Sequence, residues 1–236
     1  MSLQVDTPLI HRSDDALRIQ SDFINRVFGW MTVGLAVTGF VAYGFAQHPG
    51  WIASHPAVFL TLLGLQLLMV FTLGAAIRKI SPAVAFLGFI LFAVLNGITL
   101  SVIFLTYTES SIAQTFFVTS LTFGGMGLYG WVTKRDLTAL GSFCIMGLYG
   151  LIIASLVNLF TRSSRFDLLL SAIGILLFVG LTAYDTQKIK RLAIGAGDGA
   201  FSETDSRRIA VLGALLLYLD FINMFLYLLR FFGRRK

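Results

Sequence analysis

The sequence predicts an all-α membrane protein with seven transmembrane helices, and three observations lead there. Hydrophobic residues make up 56% of the 236 positions and charged residues only 13%, about half the charged share of an ordinary soluble domain. Apolar windows of roughly 20 residues, the length that crosses a bilayer, recur along the whole chain. The connections between them are too short to hold a soluble catalytic domain.

In order along the chain, residues 1–26 are polar and of mixed charge, with Asp14, Asp15, Arg18 and Asp22. They lack the basic start and short apolar core of a cleaved signal peptide. The first span is therefore its own membrane address, and 27–236 form a single transmembrane domain. The apolar windows are 27–46, 57–76, 84–105, 112–132, 137–160, 168–183 and 209–232. The sixth is short, which predicts that its helix continues through Tyr184 and Asp185 into TQKIKRL, for a span of 168–187 with Asp185 near a membrane boundary. Thr186 to Arg208 is then the longest interior connection, flexible at its glycines. Within it, Ser202 and Asp205 have the spacing of a capping box that starts the seventh helix.

MGLYG occurs at 126–130 and again at 146–150, too short and too close together to mark a fold-level repeat. Gly124, Gly125, Gly127, Gly130, Gly147 and Gly150 instead predict surfaces where helix backbones approach closely. Cys144, the single cysteine, lies in an apolar window, which excludes an internal disulfide and a thiolate metal cluster.

The net charge of +6 is spread over the connections and forms no basic patch with interleaved aromatics, so nucleic acid is not the expected partner. The positive-inside rule accounts for it better. With the N-terminus cytoplasmic, twelve of the 18 Lys and Arg residues fall on that face, and 47–56 and 106–111 carry none. The tail RFFGRRK runs against the rule, leaving two options: seven crossings with an exported basic tail, which we favour, or a last segment that dips in and returns.

Ten of the twelve acidic residues lie in the N-terminus or in connections; Asp185 and Asp220 do not. A carboxylate at the bilayer centre costs about 2.5–3.5 kcal/mol, and such residues usually face a bundle interior and mark an ion or proton path. Asp220 sits at the middle of its window, on a face with Gly213, Leu216, Leu217, Asn223, Met224 and Tyr227. The other faces are apolar too, which predicts a last helix enclosed by the rest of the bundle. A purely structural role for Asp220 would be a protonated acid bonded to Asn96 or Thr99 of the third span.

VGLTAYDTQKIKRL (179–192) and LYLDFINMFLYLLRFFG (217–233) resemble the transmembrane Bax-inhibitor-motif superfamily in its bacterial branch, and the resemblance covers essentially the whole chain. It implies six helices surrounding a central seventh, with a paired-aspartate, pH-sensitive site associated with calcium leak. Carried over by position, the pair is Asp185 and Asp220. The family also has an arginine at the end of the second helix that latches the aspartates; in GAAIRKISP that position falls to Arg78, whose alternative reading is a topology-setting charge. Gln66 stands where the family places an acid, which weakens any cation site relying on it.

Two carboxylates in hydrogen-bond reach cannot both ionise freely and share a proton near neutral or mildly acidic pH. Losing it attracts a cation. Calcium takes six to eight oxygens, so Asp185 and Asp220 would hold it weakly, helped by Asn223, Thr182, Tyr184, carbonyls or water. By depth alone the two aspartates lie about 10–15 Å apart. Their pairing is what the resemblance implies, and it requires a recessed cytoplasmic vestibule or a tilted sixth helix.

The expected function is a pH-sensitive calcium leak channel or transporter of the bacterial inner membrane, not an enzyme, with no cofactor and with lipid, calcium and protons as ligands. The alternative is a regulatory protein that binds other membrane proteins in stress or proteolysis control, without ion flux of its own. Two further classes fit poorly. An intramembrane aspartyl protease has glycine two residues before its second aspartate, where this chain has Tyr218, and a retinal protein needs an intramembrane lysine, which the seven windows lack.

Overall fold

The computed structural model describes the backbone of residues 7–48, 56–77 and 79–236, and the side chains of 14–48, 57–77 and 79–236. The helices are α1 (Thr7–Ala46), α2 (Pro56–Ala76), α3 (Pro82–Leu100), the short α4 (Val102–Thr106), α5 (Glu109–Val132), α6 (Thr138–Thr161), α7 (Ser164–Gly197) and α8 (Glu203–Phe232). Among the described residues there are no strands; a single isolated bridge joins Tyr107 to Arg235. Six helical segments are long and apolar enough to cross a membrane. The seventh long helix, α5, is rich in Ser, Thr and Gly and packs on α7 and α8.

Local chemistry sets the ends. Ser81 caps α3 by accepting from the Val84 amide, with Pro82 in the first turn, where its missing N–H costs nothing. Thr108, Ser163 and Ser202 cap α5, α7 and α8 in the same way. The capping box expected at Ser202 is present, with Asp205 N–H donating to Ser202 Oγ at 3.0 Å. The third span is interrupted at Ser101, whose hydroxyl turns back onto the Ile98 carbonyl at 2.6 Å, a side-chain bond that competes with the helix ladder.

The last helix is the most buried of all. It packs on α7, α1, α5 and α3, while α2 leans on α3 and α6 leans on α7. Large apolar side chains on the outer helices, such as Phe40, Phe71 and Phe160, point outward, as a lipid-facing surface requires. The enclosed last helix is thus the seventh span expected from its all-round apolarity.

One expectation, the length of the connection after the sixth span, is corrected. At the start of the chain, α1 runs unbroken from Thr7 to Ala46, so the polar stretch and the first apolar window share one helix, which buries Phe23 and Val27. The connection after the sixth span is not about twenty residues long, because α7 continues to Gly197 and only 198–202 lie between it and α8. It continues because Ile189, Ala193 and Ala196 still find a core to enter. The tail is tied to the end of the bundle opposite the 198–202 turn, where Thr108 N–H donates to Arg234 O and Lys236 N–H to Thr106 O, in keeping with the favoured path in which the last segment does not dip in and return.

Candidate functional site

The two aspartates isolated by the sequence meet. Asp185 lies in α7 and Asp220 in α8, their carboxyl groups are in hydrogen-bonding contact, and they are only 8% and 4% exposed. The depth argument placed them apart because it ended the membrane-level helix at Asp185. That helix in fact runs three turns further, and measured from the 198–202 turn the two residues stand roughly 18 and 26 Å along adjacent antiparallel helices. That leaves about 8 Å of offset along the helix axes, less than the roughly 10–15 Å expected from depth alone.

Asp220 Oδ2 is buried, and among the described residues no N–H or hydroxyl donates to it. Two ionised carboxylates in such contact repel, so the contact is attractive only if one of the pair carries a proton. Lys188, one turn beyond Asp185, is the cation within electrostatic reach of both acids. It is exposed, so its attraction is weakened by solvent. From α6, the Cys144 thiol also lies within electrostatic reach of Asp220.

The helper residues fall elsewhere. Thr182 donates its hydroxyl to Phe178 O at 2.7 Å, and the Asn223 amide donates to Leu219 O at 2.8 Å, each within its own helix. Tyr184 lies against Gly141 of α6. Arg78 lies outside the described residues. Asn96 and Thr99 are not partners of Asp220 either: Asn96 lies near the Tyr218 hydroxyl, and Thr99 accepts from Gln66 Nε2 at 3.0 Å. Gln66 also donates to Leu95 O at 2.9 Å, so it braces α2 on α3. Among the described residues, no three acids, histidines or cysteines converge to hold a metal.

The surroundings of Asp185 contain features that the sequence reading missed. Gln187, nearly buried, accepts from the Leu137 amide at 2.9 Å and donates to the Arg135 carbonyl at 2.8 Å. Lys190 Nζ donates to Trp131 O at 2.6 Å, and Arg191 pairs with Asp136 at 2.8 Å. The run TQKIKR after Asp185 therefore clasps the α5–α6 turn, and two of its basic residues read as topology signals, Lys190 and Arg191, have specific partners. The signal available in the sequence was their helical spacing from Asp185. The expected close approach of glycines holds for Gly127, Gly130 and Gly147, whereas Gly124, Gly125 and Gly150 have open space around them.

The family model described as "Inhibitor of apoptosis-promoting Bax1" matches residues 20–236. The chain is 45% identical over 225 residues to the Escherichia coli inner membrane protein YbhL, covering 91% of this chain and 92% of that one. It is also 44% identical over 222 residues to an uncharacterized protein of Borreliella burgdorferi, covering 92% and 94%. An uncharacterized protein of Deinococcus radiodurans is 43% identical over 207 residues, covering 88% of each.

Proposed function

Because the chain belongs to the family of inhibitors of apoptosis-promoting Bax1, we propose that it is a membrane cation leak protein in which a proton shared by Asp185 and Asp220 regulates the passage of calcium. The observation that supports this is the buried contact between the two carboxyls, with Asp220 Oδ2 lacking a donor among the described residues. With the proton in place, the bond ties α7 to α8. Without it, two negative charges adjoin at low dielectric, the bond is lost, and the pair repels itself and attracts a cation.

The charge count speaks for passage and not storage. Calcium needs six to eight oxygens, and here two carboxylates meet with no third acid near them among the described residues. A site so poor in ligands would hold calcium briefly. On this reading the protein performs no covalent chemistry and needs no cofactor, and its ligands are lipid, protons and calcium. The name of YbhL and the distribution of Lys and Arg support placing it in the inner membrane with a cytoplasmic N-terminus.

The test is calcium entry into liposomes containing only this protein, measured from pH 6 to 8, with Asp220→Asn and Asp185→Asn alongside. The expected outcome is a pH-dependent flux that loses its pH dependence in Asp220→Asn, while Asp185→Asn is held in one conformation. Flux no greater than in empty liposomes would refute the reading and favour a regulatory protein acting on other membrane proteins.

A further inference from the structure

At the end of the bundle where α6 passes into α7 and α8 terminates, a recess of about 380 Å3 is lined by Arg162, Arg230 and Arg235 with a single carboxylate, Asp167. It shares Asn158, Arg162, Asp167 and Arg230 with a hollow of about 280 Å3 that runs on to Leu159 and Leu170. The hollow thus adds the exposed Leu159 and the buried Leu170 to walls that carry Arg162 and Arg230.

The one acid is already engaged. Asp167 Oδ1 accepts from Arg230 at 3.3 Å and from Asn158 at 3.5 Å. Among the described residues, neither Arg162 nor Arg235 has a carboxylate within ion-pair distance. Arg162 and Arg235 are exposed at the recess, so two guanidinium groups without a carboxylate partner are available there to an anion.

The backbone holds both arginines in place. Arg162 ends α6 in the left-handed conformation, at φ 48°, a position that glycine or asparagine normally fills at lower cost. Arg235 is anchored by the bridge to Tyr107, flanked by the bonds of Arg234 and Lys236 to Thr108 and Thr106. The turn that brings it back needs Gly233, where a Cβ would lie 2.7 Å from the Tyr107 ring.

We propose that this recess binds the phosphate of an anionic phospholipid, with the arginines on the phosphate oxygens and an acyl chain along Leu159 and Leu170. Guanidinium forks suit phosphate oxygens, which they bind through paired charge-assisted hydrogen bonds. A soluble anion would not need what surrounds the cup: Leu159, Phe160 and Leu168 are 68%, 83% and 49% exposed beside it, an apolar surface suited to a lipid chain.

The experiment is native mass spectrometry of the full chain in detergent, titrated separately with phosphatidylglycerol, phosphatidylcholine and inorganic phosphate. Phosphatidylglycerol should bind at least about tenfold more tightly than phosphatidylcholine, and Arg162→Ala or Arg235→Ala should each remove about tenfold, the scale of one charge-assisted hydrogen bond. Arg162→Lys and Arg235→Lys should retain part of the preference. Arg165→Ala, which removes the same charge outside the recess, should retain all of it. Equal binding of the two lipids, or an Arg162→Ala/Arg235→Ala variant that binds like wild type, would overturn the proposal. So would displacement of the lipid by millimolar inorganic phosphate with the same arginine dependence, which would assign the recess to a soluble anion.

Discussion

The two copies of MGLYG offer a direct test of the helix packing beside the aspartates, because the same pentapeptide ends in Gly130 in α5 and in Gly150 in α6. A Cβ added at Gly130 would lie 2.2 Å from Ala183 O and 2.9 Å from Ala183 C, whereas one added at Gly150 would meet nothing within 4 Å. Ordinary contact begins near 3.4 Å, so alanine at 130 must push α5 from α7 by about 1 Å, and the obstacle is backbone that no rotamer change can move. Overpacking of this kind costs about 1–3 kcal/mol. Replacing glycine by alanine inside a helix gains about 0.5–1 kcal/mol at either position, so that gain cancels in the comparison. Gly130→Ala should therefore be about 1–3 kcal/mol less stable than Gly150→Ala. Reversible unfolding in mixed detergent micelles measures both. Equal stabilities would refute the inference that α5 and α7 touch through backbone next to Asp185.

Two further predictions concern the turn that α7 clasps. Gln187→Ala leaves the buried Leu137 amide and the Arg135 carbonyl without partners; it should lose about 1–3 kcal/mol and increase hydrogen exchange across 133–137. In the same turn, hydrogen bonds from the Thr138 side chain and backbone, and then from Arg191, hold the Asp136 carboxyl below its usual value of 3.8. A carboxyl lowered on folding stabilises above its unfolded value and loses that effect as pH falls through the folded value. Wild type should accordingly exceed Asp136→Asn in stability at neutral pH, and the two curves should converge as pH falls below the usual carboxyl range; curves that stay parallel in acid-unfolding experiments would contradict this.

The spans were legible because lipid imposes a length and a composition, and Asp220 was legible because a midplane acid is expensive. The meeting of Asp185 with Asp220 was not derivable from depth. The polar residues after Asp185 looked like the water-exposed end of a helix, yet Gln187, Lys190 and Arg191 are bound to the α5–α6 turn, and Ile189, Ala193 and Ala196 continue the buried face. A sequence window cannot separate a helix that leaves the bundle from one whose polar side chains are matched by a neighbour. The same limit explains the glycines: which of two identical motifs touches a neighbour depends on the rotation of each helix, and their residues are the same.

The polar contacts of the last helix divide by chemistry. Toward α1 and α3, the buried Tyr218 hydroxyl meets Thr38 at 2.6 Å and lies near Asn96, and Thr38 donates to Ala93 O at 2.9 Å. Phe89 and Phe92 close on the Tyr218 ring edge-to-face at 5.6 and 5.8 Å. That half of the core gains or loses no proton between pH 6 and 8, because tyrosine and the amides do not titrate there. Toward α7, the polar link is a pair of carboxyls. If a proton leaves that pair as pH rises, the strain falls on the α7–α8 contact and leaves α1 and α3 in register with α8. Spin labels at Leu176 and Phe232 should then report a pH-dependent change in distance, while labels at Phe40 and Phe232 should not. All three positions are more than 60% exposed, so labels fit without disturbing the core. Equal changes in both pairs would mean that the bundle moves as a whole, and no change in either would mean that the aspartates hold α7 to α8 without acting as a switch.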